Sequence, residues 1–256
     1  MLLELSLAGR QLISAQEVVN PRAIFMGTLL APWPNRLADG SYELDGREYR
    51  FENLDAQNNL NHGLLGTRTL EVVDGGESDG SALALRYLFG SDENYPSRVE
   101  LSLTFEISAT ELSVSAEARN LGEVAAPFAI GFHPYFLVGD DFEVSGDFTH
   151  HIKTDKRMLP VSTEPVEGLR YAGGPIDDCY FGANTVSVST EDGEFAVELG
   201  ENMSHFMFYR PGLDVGPSML AIEPMSAPAN VFADDIASVL IAPGDLKRFG
   251  FVVRTR

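Results

Sequence analysis

The chain holds a single cysteine, Cys179, in 256 residues, so no internal disulfide can form and its stability must come from packing. Basic residues are also scarce. Eighteen Lys and Arg stand against 38 Asp and Glu, a formal charge of −20, which repels phosphate backbones and anionic headgroups. Nucleic acid and membrane surfaces are therefore disfavoured as partners. No apolar run approaches the roughly 20 residues needed to span a bilayer. The opening "MLLELSLAGR" carries Glu4 within its apolar stretch and lacks a cationic start, so it does not read as a signal peptide, and the cytoplasm is the expected location. There is no Gly-rich phosphate loop, no G-x-S-x-G turn and no Pro- or Ser-rich linker. No segment keeps an i, i+3, i+4, i+7 apolar pattern over ten residues, so no long helix is expected.

What is present has period two. "SYELDGREYRF" sets Tyr42 and Leu44 before Asp45-Gly46 and Tyr49 and Phe51 after it, the signature of a tight hairpin. "LSLTFEISATELSVSAEA" alternates Leu101, Leu103, Phe105 and Ile107, turns near Thr110, and resumes with Leu112, Val114 and Ala116. "NTVSVSTEDGEFAVEL" repeats the plan around Glu191-Asp192-Gly193. Three hairpins predict packed antiparallel sheets, and an apolar content of 44% over this length suits one all-β domain across 1–256.

The five histidines, His62, His133, His150, His151 and His205, do not fall at zinc-site spacings, and adjacent His150 and His151 would point to opposite faces of a strand. No metal and no cofactor are expected. Cys179 is read as a small buried hydrophobe. Other polar groups sit where neither a core nor a plain loop favours them. In "NNLNHGLLG", His62 lies between Asn61 and Gly63, either solvated or held by the scaffold for chemistry. His133, in "FAIGFHPYFLVGD", is either a core histidine bonded to backbone or an imidazole titrating near neutrality. Glu223, in "SMLAIEPMSAP", is expected at a strand end before Pro224, where it either meets solvent or is paired and used. "APWPNRLADG" offers Trp33, Asn35 and Arg36, either a turn with a packed Trp or an aromatic, an amide and a cation suited to a sugar.

Taken in order, "PWPNRLADGSYELDGREYRF", "LNHGLLG", "GFHPYF", "PIDDCYF" and "AIEPMSAP" resemble the aldose 1-epimerases, or galactose mutarotases, from about Pro32 to Asn230. The "HPY" and "EPM" forms look like a bacterial aldose 1-epimerase-like branch, since the better-known members usually follow this histidine with Ser and Tyr. The resemblance implies a β-supersandwich of many antiparallel strands. It implies Glu223 as general base and His133 as general acid, with Arg36 and His62 on sugar oxygens and Asn35 beside them. Asp177, three residues before Tyr180, matches the aspartate that holds sugar hydroxyls, and Asp178 ranks second because it would face the other way in a strand. The implied reaction interconverts the α and β anomers of a hexose by ring opening, with a monosaccharide as partner. A non-catalytic carbohydrate-binding module, a hexose-6-phosphate mutarotase using Arg68, Arg86 or Arg98, and a glycoside hydrolase pairing Asp177 with Glu223 stay open. The sequence does not give the oligomeric state.

Overall fold

The structure, a computed structural model, describes residues 1–74, 81–90 and 92–256. Strands take up 51% of the chain and helix 4%. The α-helix among the described residues is the single turn Val231–Asp234. Two large antiparallel sheets dominate. One has nine strands, from Leu169–Tyr171 at one edge, through Leu246–Thr255 near its middle, to Glu71–Asp74 at the other edge. The other has eight, in the order Pro160–Pro165, His150–Thr154, Asp177–Phe181, His205–Tyr209, Met219–Met225, Gly131–Phe132 and Leu29–Leu30, with Tyr135–Leu137 also paired to Met219–Met225.

All three expected hairpins form. Ser41–Leu44 pairs with Arg47–Arg50, Val99–Ile107 with Glu111–Asn120, and Thr185–Thr190 with Gly193–Leu199. At the first turn Asp45 and Gly46 have φ of 53° and 75°, the two positive values that match a two-residue loop to strand twist. Alternation then decides which side chains are buried. Leu101 and Leu103 face Leu112, Val114 and Ala116 in one apolar core that runs from Leu5 to Val253 and includes Phe206 and Phe208 of the second sheet. Among the described residues no helix is long and apolar enough to cross a membrane.

The eight-stranded sheet contains an interruption that shapes everything near it. Gly131–Phe132 and Tyr135–Leu137 both pair with Met219–Met225, and His133-Pro134 falls between them. His133 instead turns its backbone to the neighbouring chain, donating to Thr28 O at 3.0 Å and accepting from Gly27 N at 2.8 Å.

Candidate active site

Glu223 is not at a strand end. The strand Met219–Met225 continues through Pro224, a residue that normally breaks a central ladder because it has no N–H to donate. Here the loss falls beside the interruption. On that edge Ile222 N donates to Pro134 O and Ser226 N to Ile130 O, and the register sets Pro224 between them opposite Phe132, so one ladder bond is forgone directly beside the gap at His133-Pro134. The missing donor thus falls at the last residue of the short strand Gly131–Phe132, where pairing is about to lapse. Glu223 is thereby fixed inside the sheet, 2% exposed, facing His133.

Cross-strand register assembles the floor. Ile152, Cys179, Met207 and Glu223 lie in one row, and Asp177, Tyr209, Ala221 and Tyr135 in the next row on the same face. The alternation also separates the two aspartates. Asp177 joins the Glu223 face, whereas Asp178 points away and meets His151 Nε2 at 2.9 Å.

The opposite wall comes from the N-terminal third of the chain. Arg36–Ala38 pairs with Asn59–Asn61, and His62 N donates to Asn35 O at 2.8 Å. His62 and Gly63 follow with φ of 65° and 67°, and a Cβ at Gly63 would come 2.2 Å from Ala31 O, so only glycine allows this approach. The unusual Asn-His-Gly order is therefore a backbone requirement that throws the His62 ring inward. A left-handed histidine is strained, and such strain collects at functional sites. Asn35, also left-handed, accepts from Arg36 N at 2.9 Å and Arg36 Nη1 at 3.1 Å. Asn230 ties the next turn to this wall, donating from its backbone N to Arg36 O and accepting from Ala38 N at 2.9 Å.

All six residues expected from the sequence belong to one connected cluster. His133 Nε2 lies 3.4 Å from Glu223 Oε1, the His62 and His133 rings meet edge to face at 5.2 Å, and Arg36 Nη2 lies 3.8 Å from Asp177 Oδ2. They occupy two depths. Asn35, Arg36 and Asp177 line a small cleft with Thr154, Met158 and Pro160, while His133 and Glu223 are buried beneath it. A larger apolar cavity of about 680 Å³ lies elsewhere, between the N-terminal strand and the open end of the nine-stranded sheet, and reaches His133 from behind without touching Glu223. Its lining is mostly apolar, with Glu4 as its one carboxylate.

Burial tunes the buried pair. It raises the Glu223 carboxyl well above 4.5, with Asp177 adding repulsion and Arg36 opposing, and it lowers the His133 imidazole to about 3. Burial, then His133 and Arg36, holds His62 well below 6.5. Burial also raises Asp177, against the pull of Arg36. The Cys179 thiol is pushed up as well, which keeps it unreactive. Six buried side-chain atoms find no hydrogen-bond partner among the described residues: Trp33 Nε1, Arg36 Nε, Asn61 Oδ1, His62 Nδ1, His133 Nδ1 and Glu223 Oε2. Each such atom costs about 1 to 3 kcal/mol, and four of the six, on Arg36, His62, His133 and Glu223, belong to residues of this cluster.

Sequence reasoning passed over four contributors. Tyr135 stacks on His133 at 5.0 Å, Phe25 packs on His62 at 4.5 Å, and Asn61 and Asn230 hold the Arg36 strand. Only Tyr135 had a local signal, being two residues beyond His133.

Comparison with known proteins places this chain in a family. The chain is 27% identical to the uncharacterized Escherichia coli protein YihR over 98% of its own length and 85% of that protein's. It is 25% identical to human galactose mutarotase over 57% of this chain, spanning less than half (44%) of the human protein. In three dimensions it resembles the GalM/aldose epimerase homologue of C. elegans, with a TM-score of 0.81 at 15% identity over 96% of this chain and 88% of that one. It likewise resembles galactose 1-epimerase from Lactobacillus acidophilus, with a TM-score of 0.78 at 15% identity over 99% and 87%. Those two likenesses speak for the fold. The pattern of the aldose 1-epimerase family matches residues 5–254, so the chain belongs to the aldose 1-epimerases and is a sugar isomerase of the mutarotase type.

Proposed function

We propose that the protein interconverts the α and β anomers of a free, neutral hexose, with Glu223 and His133 moving the protons. The observation that carries this reading is the buried contact of an acid and a base, 3.4 Å apart, among orphaned polar atoms. The anomeric hydroxyl O1 and the ring oxygen O5 sit on the same carbon, so two proton-transfer groups in contact can reach both. Glu223 takes the O1 proton while His133 delivers one to O5, and the C1–O5 bond breaks to give the aldehyde. Rotation about C1–C2 and closure with the proton movements reversed yields the other anomer.

Burial favours the uncharged partners, a protonated carboxyl beside a neutral imidazole, and the ionised alternative differs only in the position of one proton. Arg36 favours the ionised carboxylate, which is the form that begins the reaction as written. Asp177 and Arg36 at the cleft, with Asn35, grip ring hydroxyls, and neutral His62 donates to a sugar oxygen as negative charge develops there. We read residues 1–256 as one such unit, because a single apolar core includes both Leu5 and Val253.

A pure binding module has no use for a buried acid and base in contact. A phosphorylated sugar lacks its cation: Arg68 faces Asp92, Arg86 faces Glu71, and neither these nor Arg98 lines the cleft. The test is anomer exchange, followed by NMR or optical rotation, for glucose, galactose, xylose and hexose 6-phosphates. Acceleration of free sugars over buffer is expected. Equal rates with and without protein across the set end the proposal.

A further inference from the structure

The cleft has a roof that no catalytic role accounts for. The hairpin between His150–Thr154 and Pro160–Pro165 turns at Asp155, whose carboxylate accepts from Arg157 N at 2.8 Å and Leu159 N at 3.0 Å. This locks the turn and splits two neighbours. Met158, left-handed at φ 61°, goes into the cleft with Pro160, while Arg157 leaves it and crosses to the opposite wall. There Arg157 donates to Gln57 O at 3.0 Å, Asp39 Oδ1 at 2.9 Å, Asn58 O at 2.9 Å and Asn59 Oδ1 at 3.2 Å, and its own carbonyl accepts from Asn59 Nδ2 at 2.9 Å. These partners lie about a hundred residues away, in the segment that leads through Asn61 to His62. Five hydrogen bonds through one residue join the two sides of the cleft.

We propose that Arg157 is a clasp that holds the Met158–Pro160 roof over the cleft floor and so sets which sugars enter: a single free ring is admitted, and the reducing end of a longer chain is not. The substrate part rests on the function proposed above; the clasp itself does not. A forked guanidinium suits the task, since it reaches two backbone carbonyls, a carboxylate and an amide at once, which an ammonium cannot. Arg157 touches none of the reacting groups and acts by positioning.

The chain carries its own reporter. Cys179, its one cysteine, is buried on the cleft floor under this roof. Alkylation by iodoacetamide at pH 8 should be slow in the native protein. It should be faster by about tenfold or more in Arg157→Ala, because several bonds that hold the roof are gone, and intermediate in Arg157→Lys. Gly46→Ala, at the left-handed turn of the Ser41–Leu44 and Arg47–Arg50 hairpin with open space around it, strains the fold without touching the roof and should leave the rate near wild type. Equal rates in wild type and Arg157→Ala, or an equal acceleration by Gly46→Ala, overturn the clasp. Kinetically, Arg157→Ala should raise KM for galactose or glucose several-fold with kcat nearly unchanged, and should raise the relative rate on a reducing disaccharide such as lactose. An unchanged preference for the single ring overturns the entry role. Saturating monosaccharide should slow Cys179 alkylation in wild type. If the roof responds to Arg157→Ala but sugar gives no protection, the clasp stands and the proposed function falls.

Discussion

Replacing Glu223 by Gln should make the protein more stable and nearly inactive at once. The carboxyl is 2% exposed, contacts His133 at 3.4 Å, and leaves Oε2 without a partner. Its folded pKa is raised by burial, so the folded state binds this proton more tightly than the unfolded chain does. The sign follows: the contribution to stability is present below 4.5 and is lost as pH rises through the folded value. Gln does not titrate, keeps the shape, and can donate an N–H to the neutral imidazole. The relief should be about 1 to 3 kcal/mol, the cost of one uncompensated buried polar group. For a chain of this size that raises Tm by about 2 to 10 °C. The gain should be small at pH 4 and grow toward pH 8, measured by scanning fluorimetry across that range. In anomer exchange kcat should fall by about 10² to 10⁴, with the sugar still bound, because the proposed proton acceptor is gone and the proposed hydroxyl grips of Arg36 and Asp177 remain. His133→Asn should lose activity similarly. Wild-type kcat in both variants, with normal sugar binding, would refute the acid–base assignment.

Three other outcomes follow from the same geometry. Arg36→Lys loses the fork that meets Asn35 Oδ1 and Asp177, so KM should rise about tenfold while kcat changes less, as measured by initial rates over sugar concentration. His205 is held down to about 4 by burial, so the fold loses stability as pH falls from 6.5 toward 4; His205→Gln should remove roughly 2 to 3 kcal/mol of that loss in urea titrations at the two pH values. Asn230→Ala forfeits a left-handed asparagine and its bonds to Ala38 N and Asp234, which should cost about 1 to 3 kcal/mol and disturb Arg36, seen as lower stability together with raised KM.

Local physics reached far in this chain because period two is a strong rule. It gave the hairpins with their turns, and it set Asp177 and Asp178 on opposite faces, since a one-residue step moves a side chain to the other face, while the choice of Asp177 for the site came from the family resemblance. The same reasoning misplaced Glu223 at a strand end. A proline interrupts most strands, and here the strand runs on through Pro224 with one ladder bond forgone opposite Phe132, a partner some ninety residues earlier in the chain that no local pattern records. Arg157 left no trace either. In sequence it is one arginine in a turn, and its partners at Asp39 and Gln57 to Asn59 become neighbours only when the two walls are brought together.

These limits share a cause with the chemistry. A regular sheet satisfies its own backbone and leaves no room for a buried acid facing a buried base. Here one strand is broken at His133, the next carries proline beside that break and forgoes a ladder bond, and a loop is forced left-handed at His62 and Gly63 to face them. Each departure costs stability that an ordinary core would not surrender, and each is offset by the apolar packing of two large sheets around it. The roof differs in kind. It is held by ordinary, fully partnered hydrogen bonds from Arg157, so losing it should weaken closure without relieving any strain. Glu223→Gln should therefore raise stability and abolish turnover, while Arg157→Ala should lower the barrier to the floor and spare turnover. Opposite signs in the two variants would separate the strained machinery from the clasp that encloses it.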